Sequence, residues 1–203
     1  MKKIMFCDRY GLTQAVIDGR KTMTRRIATF EGIRNPMIAN VMSEGPLFGR
    51  HCLTDGTEKT VAMSAYALDE IVAVAQPLKD MGYNPNDRSE GHIYGLDHTV
   101  AWTNKMFVAA SQCIHKIQIT GICIERLQDI SDENCLKEGI MIDANRLAVD
   151  DNIYVFDVYG KHKNRWYFPT PKEAFAALID KVSGKGTWAS NPWVFVYSFK
   201  LIK

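Results

Sequence analysis

The last third of the chain does most to limit what it can fold into. Residues 170–186, TPKEAFAALIDKVSGKG, carry the full set of helix signals. Thr170 stands at the cap, Pro171 in the first turn, Glu173 three residues after the cap, and Gly184 at the stop. Phe175, Leu178, Ile179 and Val182 recur at helical spacing and predict its buried face. Directly after it, NPWVFVYSFKLI (191–202) alternates as a closing strand. No other segment reads as a helix of this length, whereas β-prone segments recur: DEIVAVAQPL (69–78), KIQITGICIERL (116–127) and RLAVDDNIYVFDVYG (146–160). A wound parallel sheet needs regular strand–helix alternation, which is missing. The pattern predicts an α+β fold: a mixed, mainly antiparallel, barrel-like sheet with a few short helices packed on it.

Local signals sharpen this outline. Asp55-Gly56, inside RHCLTDGTEKTVAM, predicts a hairpin. Gly121 predicts a bulge or kink in the strand that contains it. DISDENCLKEG (129–139) predicts a short helix capped by Ser131 and stopped by Gly139. In GLTQAVIDGR (11–20), Thr13 is expected to cap a first short helix, and Gly19 to supply the left-handed residue that ends it. KDMGYNPNDRSEGHIYGLDH (79–98) reads as a long polar loop. No repeat or linker divides the 203 residues, so one domain is expected.

Composition narrows the function. A net charge of +2 is too balanced for a protein that coats nucleic acid, although it leaves room for a local basic patch. No apolar run reaches the roughly 18 residues of a membrane span. MKKIMFCDRYG has a charged start with no apolar stretch behind it, unlike a signal peptide. The five cysteines are odd in number and never spaced as CxxC, and they read as reduced thiols of a cytoplasmic protein.

The densest chemical signal is GRKTMTRR (19–26), with four cations and two threonines. Such a stretch fits a solvated basic face, a phosphate contact or a reactive site, and the residues alone leave all three open. In order along the chain, several segments resemble the ASCH domain family of the PUA-like superfamily. Gly19-x-Lys21-x-x-Thr24-x-Arg26 matches the family's G-x-K-x-x-[ET]-x-R loop. YALDEIVAV (66–74) occupies the place of its Gly-Asp turn and strand, keeping an acid but lacking the glycine. ITGICIERLQDISDENCLKEGI (119–140) and NPWVFVYSF (191–199) match the strand–helix segment and closing strand of phage-type members. Residues near 28–60, 80–100 and 140–165 fall outside the resemblance and read as elaborations.

The resemblance implies a PUA-like β-barrel with a cleft beside GRKTMTRR that takes RNA or a modified nucleoside. Small bacterial members of this type remove the acetyl group from N4-acetylcytidine. Their lysine, threonine and glutamate fall on Lys21, Thr24 and Glu138 as catalytic residues. Gly19, Arg26, Trp102 and Asn104 are candidate substrate-binding residues, and neither a metal nor another cofactor is expected. The alternative is a non-catalytic module that binds RNA or a modified nucleotide through Lys21 and Arg26.

Amide hydrolysis needs a nucleophile, a base and a group that steadies the oxyanion. Arg20, Arg25 and Arg26 near Lys21 disfavour its protonated form, as a base requires. Glu138 stands at the end of a short helix, where a carboxylate opposes the helix dipole, which hints at a cationic partner such as Lys21. Lys21 itself, in a loop, is expected to add little to core stability. Asp87, Glu90, His92, Asp97 and His98 have metal-ligand identities without metal-ligand spacing and read as a polar loop. Cys113 with His115, and the cation–aromatic run KHKNRWYF (161–168), are weaker candidates for function than for packing.

Overall fold

The structure, a computed structural model, describes residues 1–29, 40–43, 51–54, 60–86, 96–143, 153–156 and 167–202. In chain order these residues form β1 (Lys3–Ile4), α1 (Leu12–Ile17), β2 (Met23–Ile27), β3 (Asn40–Ser43), β4 (His51–Thr54), β5 (Thr60–Met63) and β6 (Ile71–Val74). They continue with α2 (Val100–Thr103), β7 (Lys116–Arg126), α3 (Asp132–Lys137), β8 (Met141–Ile142), β9 (Tyr154–Val155), α4 (Pro171–Ser183), α5 (Thr187–Ser190) and β10 (Trp193–Ile202). Five strands build the main sheet in the order β1-β6-β7-β10-β2. Only the β1–β6 pair is parallel; the other ladders of this sheet are antiparallel. The fold is therefore α+β, with a mixed, mainly antiparallel sheet. Among the described residues the strands leave two sheet edges and do not close into a ring.

β10 is the spine of the molecule, pairing with β7 on one side and β2 on the other. Its sequence alternates, but Val194, Phe195, Val196 and Tyr197 are all buried. Successive side chains leave a strand on opposite faces, so four buried in a row means that both faces are covered. The same core takes in Phe175 and Leu178 of α4 and Leu53 and Ala62 of the smaller β3-β4-β5 sheet. The Tyr197 hydroxyl accepts a 2.8 Å bond from Ala65 N–H, and Tyr66 packs edge-on against its ring. β6 is buried through Val72, Ala73 and Val74, as its unbroken apolar run predicts. Among the described residues no helix is long and apolar enough to cross a membrane.

Most local signals act where the sequence puts them. The β7–β10 register slips by one residue between Gly121 and Ile119, leaving Thr120 as the extra residue beside the predicted bulge. β4 and β5 pair as the arms of a hairpin, while Asp55 and Gly56 lie outside the described residues. Thr170 caps α4, accepting from Glu173 N–H, and Ser131 caps α3, accepting from Asn134 N–H.

Three details differ. Thr13 is not a cap: Gly11, at φ 66°, takes that position. Residues Asp8–Tyr10 wind into a 3-10 turn first, so the helix starts earlier, and the Thr13 hydroxyl donates instead to Phe6 O and Asp8. Val182 is 39% exposed, since α4 is reaching its end there and leaves the core. Trp102 packs with a second, smaller cluster that includes Leu78, Met81 and Val108, away from β10.

Two local devices aim the chain at one place. Gly19, at φ 75°, turns α1 into β2, and Arg20 and Lys21 N–H both bond Ala15 O at 2.9 Å. Thr22 N–H then bonds Lys137 O at 3.0 Å, tying the end of α3 to the start of β2. Gly139, at φ 104°, lets the chain leave α3 where an added Cβ would meet Leu12 Cδ2 at 3.3 Å. Replacing Gly139 with alanine should destabilise the protein by about 1 kcal/mol or more, read from a lowered denaturation midpoint, because both the backbone angle and the space are wrong for it.

Candidate active site

The tie between α3 and β2 sets Glu138, the residue after α3, against Lys21, two residues before β2. Lys21 Nζ bonds Glu138 Oε2 at 2.5 Å and Glu138 O at 2.8 Å, across 117 positions of sequence. Lys21 is 2% exposed and Glu138 4%. The other carboxylate oxygen, Glu138 Oε1, accepts from Arg25 Nη1 at 3.0 Å. Arg25 is buried too, and its Nε and Nη2 both donate to Glu125 Oε1, at 2.9 and 2.7 Å. One buried carboxylate thus holds two buried cations, and a second, more exposed carboxylate completes the set.

Burial dominates the electrostatics of Lys21. Removing its ammonium from water holds its pKa below the ordinary 10.5, against the pull of Glu138, and the charges of Arg26 and Arg25 push the same way. The sequence expectation that like charge would lower it has the right direction, but desolvation is the larger cause. Lys21 is nonetheless buried rather than exposed on its loop, which is folded inward against Glu138.

Around this cluster lies a cavity of about 240 Å³. Lys21, Thr24, Arg25, Arg26 and Glu138 line its polar side, and Phe6, Leu12 and the α4 residues Phe175, Leu178 and Ile179 its apolar side. It sits where the two edges of the main sheet approach one another. Arg26, on edge strand β2, donates to Met5 O at 2.7 Å, just beyond edge strand β1. The Phe6 ring lies 5.8 Å from both Lys21 Nζ and the Arg26 guanidinium. Thr24 is buried on the cavity wall, and its hydroxyl makes no hydrogen bond among the described residues.

Of the residues singled out in the sequence, Lys21, Thr24, Arg26 and Glu138 meet at this cavity, and Gly19 shapes the turn that leads into it. Trp102 and Asn104 do not line it. Trp102 belongs to the second cluster, and the Asn104 side chain caps the following 3-10 turn by accepting from Met106 N–H. They precede β7 in sequence, but the chain between packs at the β1–β6 end of the sheet, where Lys3 Nζ donates to Met106 O and Val108 O. Asp97 and His98 are exposed on a 3-10 turn, and Asp87, Glu90 and His92 lie outside the described residues.

Two contributors were not legible as such in the sequence. Arg25 reads as one more loop cation, and Glu125 as a polar strand residue. Their pairing depends on β2 and β7 standing on either side of β10. The one available signal was an acid and a base on strands that flank a common neighbour, two positions apart along it and so on one face. Cys135, buried on α3, is no rival nucleophile, because burial pushes its thiol up to about 12.

No family model matches the chain, and no curated protein or solved structure matches it significantly.

The buried lysine has a pH signature. Below its lowered pKa the folded state bears the full cost of a buried ammonium. As pH rises toward 10.5, the native state releases its proton before the unfolded chain does, and that cost is relieved. Stability from this group therefore rises with pH through that window. In urea midpoints of wild type and Lys21→Met compared across it, the rising component should be present in the first and absent from the second.

Proposed function

We propose that the cavity is the active site of an amidohydrolase that removes the acyl group from an N4-acylated pyrimidine nucleoside such as N4-acetylcytidine. In this reading the sheet with approaching edges is a PUA-like barrel, the site lies in its seam, and the chemistry runs on Lys21, Thr24 and Glu138 without a metal or other cofactor. The observation that carries the reading is the way Lys21 is held. A neutral amine has two N–H groups and one lone pair, and Glu138 offers Nζ two acceptors, its carboxylate and its own carbonyl. Both N–H groups are then occupied, and the lone pair is left for the cavity that Thr24 shares. Glu138 orients the base, and burial keeps it deprotonated more of the time than a surface lysine.

The steps follow from these roles. Thr24 Oγ1 attacks the acyl carbon as its proton passes to Lys21 Nζ, and the carbonyl oxygen becomes an oxyanion. Arg26, which gives Met5 O one of its donors, has others to steady that charge. Collapse breaks the bond to N4, which takes the proton back from Lys21, and cytidine leaves. Water then attacks the acyl-threonine with Lys21 again accepting the proton, releasing the carboxylic acid and restoring Thr24. The apolar wall of Phe175, Leu178 and Ile179 suits the acyl chain. The cavity is below the roughly 300–1,000 Å³ usual for drug-sized ligands, in keeping with a base and a short acyl group.

The alternative of a non-catalytic reader draws on Arg26, which has a carbonyl partner but no carboxylate among the described residues. Turnover separates the two. Wild type should release acetate from N4-acetylcytidine, and Lys21→Met and Thr24→Ala should each lower the rate by about 10²–10⁴-fold. The rate should rise with pH, with its midpoint below the ordinary lysine value of 10.5, since the neutral amine is the active form. A wild-type protein that binds the nucleoside without releasing acetate would leave the reader standing and remove the hydrolase.

A further inference from the structure

The two faces of the peptide chain in β2 are used differently. β2 runs antiparallel to β10, with Thr24 opposite Tyr197 and Arg26 opposite Phe195. At the two ends of this ladder, Phe199 N–H bonds Thr22 O and Ala28 N–H bonds Trp193 O, both at 2.9 Å. Hydrogen-bonded and non-hydrogen-bonded residues alternate along an antiparallel pair. Thr24, Arg26 and Ala28 therefore turn their peptide groups, and Thr22 its C=O, toward β10. Met23, Arg25 and Ile27 turn theirs the other way, out of the sheet edge. No backbone hydrogen bond of Met23, Arg25 or Ile27 to a partner outside the ladder occurs among the described residues.

A second observation says where that edge faces. The cavity is lined by Thr24, Arg25, Arg26 and Ile27, four residues in a row. Side chains of consecutive strand residues leave on opposite faces, so a cavity that touches all four borders the edge of the strand. Met23 does not line it. The N–H and C=O groups of Arg25 and Ile27 thus open toward the cavity. Backbone N–H and C=O groups are obligatory hydrogen-bonding groups, and among the described residues those of Arg25 and Ile27 have no protein partner.

We propose that this short edge of β2 is the element that reads the substrate's base, holding an N-acylated amino-heterocycle by main-chain hydrogen bonds. The inference rests on the function proposed above and deepens it. Along the edge the groups run donor, acceptor, donor: Arg25 N–H, Arg25 C=O, Ile27 N–H. An N4-acylated cytosine presents a donor beside an acceptor, its amide N–H beside ring nitrogen N3. Arg25 C=O accepts the N–H of the scissile amide, and a neighbouring N–H donates to N3. This grip fixes the amide by the nitrogen that becomes the leaving group, while its carbonyl carbon stays free for attack. A peptide strand does not fit the same edge. The start of β2 is tied to α3 through Thr22 N–H and Lys137 O, and the Arg26 side chain crosses to Met5 O, so the open edge is limited to the three outward residues Met23, Arg25 and Ile27.

Amide hydrogen exchange in the full chain reads this directly, residue by residue. With excess N4-acetylcytidine, one of the amides of Arg25 and Ile27, the one that donates to N3, should slow by about tenfold, while Thr24 and Arg26, already in the ladder, stay unchanged. Cytidine, the product, keeps both recognised groups and should protect the same amide, so turnover during the measurement does not erase the effect. Acetate release with neither amide protected overturns the inference and leaves the hydrolase reading intact. Protection without acetate release sustains the inference and removes the hydrolase. Absence of protection by either nucleoside, or protection by uridine and not by them, overturns the assignment.

Discussion

Everything at the centre of this protein turns on one buried carboxylate. Glu138 accepts from Lys21 through one oxygen and from Arg25 through the other, and all three side chains are out of water. A buried ion pair is a doubtful source of net stability, because desolvating the charges costs about as much as their attraction returns. Removing one partner is another matter, since it strands the remaining charge. The cluster is best understood as a constraint: once α3, β2 and the loop between α1 and β2 are assembled, none of the three can move without exposing a charge to apolar surroundings.

That constraint explains why the fold takes such care with two turns. Gly19 and Gly139 both use left-handed backbone that other residues resist, and they flank Lys21 and Glu138 in sequence. The Thr22–Lys137 backbone bond locks the two turns together. Arg25 carries the constraint outward to Glu125 on β7, across the width of β10, so the central ladder and the charged cluster brace one another. The cavity lies beside this rigid corner, and its remaining wall is the apolar face of α4. A stiff polar corner against a greasy wall is a setting in which a lysine can be both desolvated and aimed.

The seam of the sheet gives the cavity its place. Edge strands present unpaired peptide groups, and proteins cover or blunt them. Here the two edges lean toward one another, bridged by the Arg26 side chain to Met5 O and by the Phe6 ring. The cavity lies in the gap between them. Thr24, Arg25 and Arg26, which line the cavity with their side chains, and the outward peptide groups of Arg25 and Ile27 thus belong to the same five-residue strand.

Local chemistry was enough to place several elements from sequence. The caps at Thr170 and Ser131, the stops at Gly19 and Gly139, the buried run of β6 and the irregularity at Gly121 depend on neighbours a few positions away. The α+β class followed from the scarcity of long helical periods. Lys21 and Thr24 could be paired as candidates because a short turn joins them, and Glu138 stood out because a carboxylate sits poorly at a helix end without a cation. The start of α1 was misjudged because a 3-10 turn formed ahead of it, and the alternation of β10 was misleading because both faces of that strand are covered. What only the tertiary structure decided was which charges meet. Arg25 and Glu125 are a hundred residues apart, and Trp102 lies on the way to β7 without approaching the cavity. Strand order and helix placement set those distances. They are properties of the assembled sheet, in which desolvation turns an ordinary loop lysine into one whose proton is held loosely.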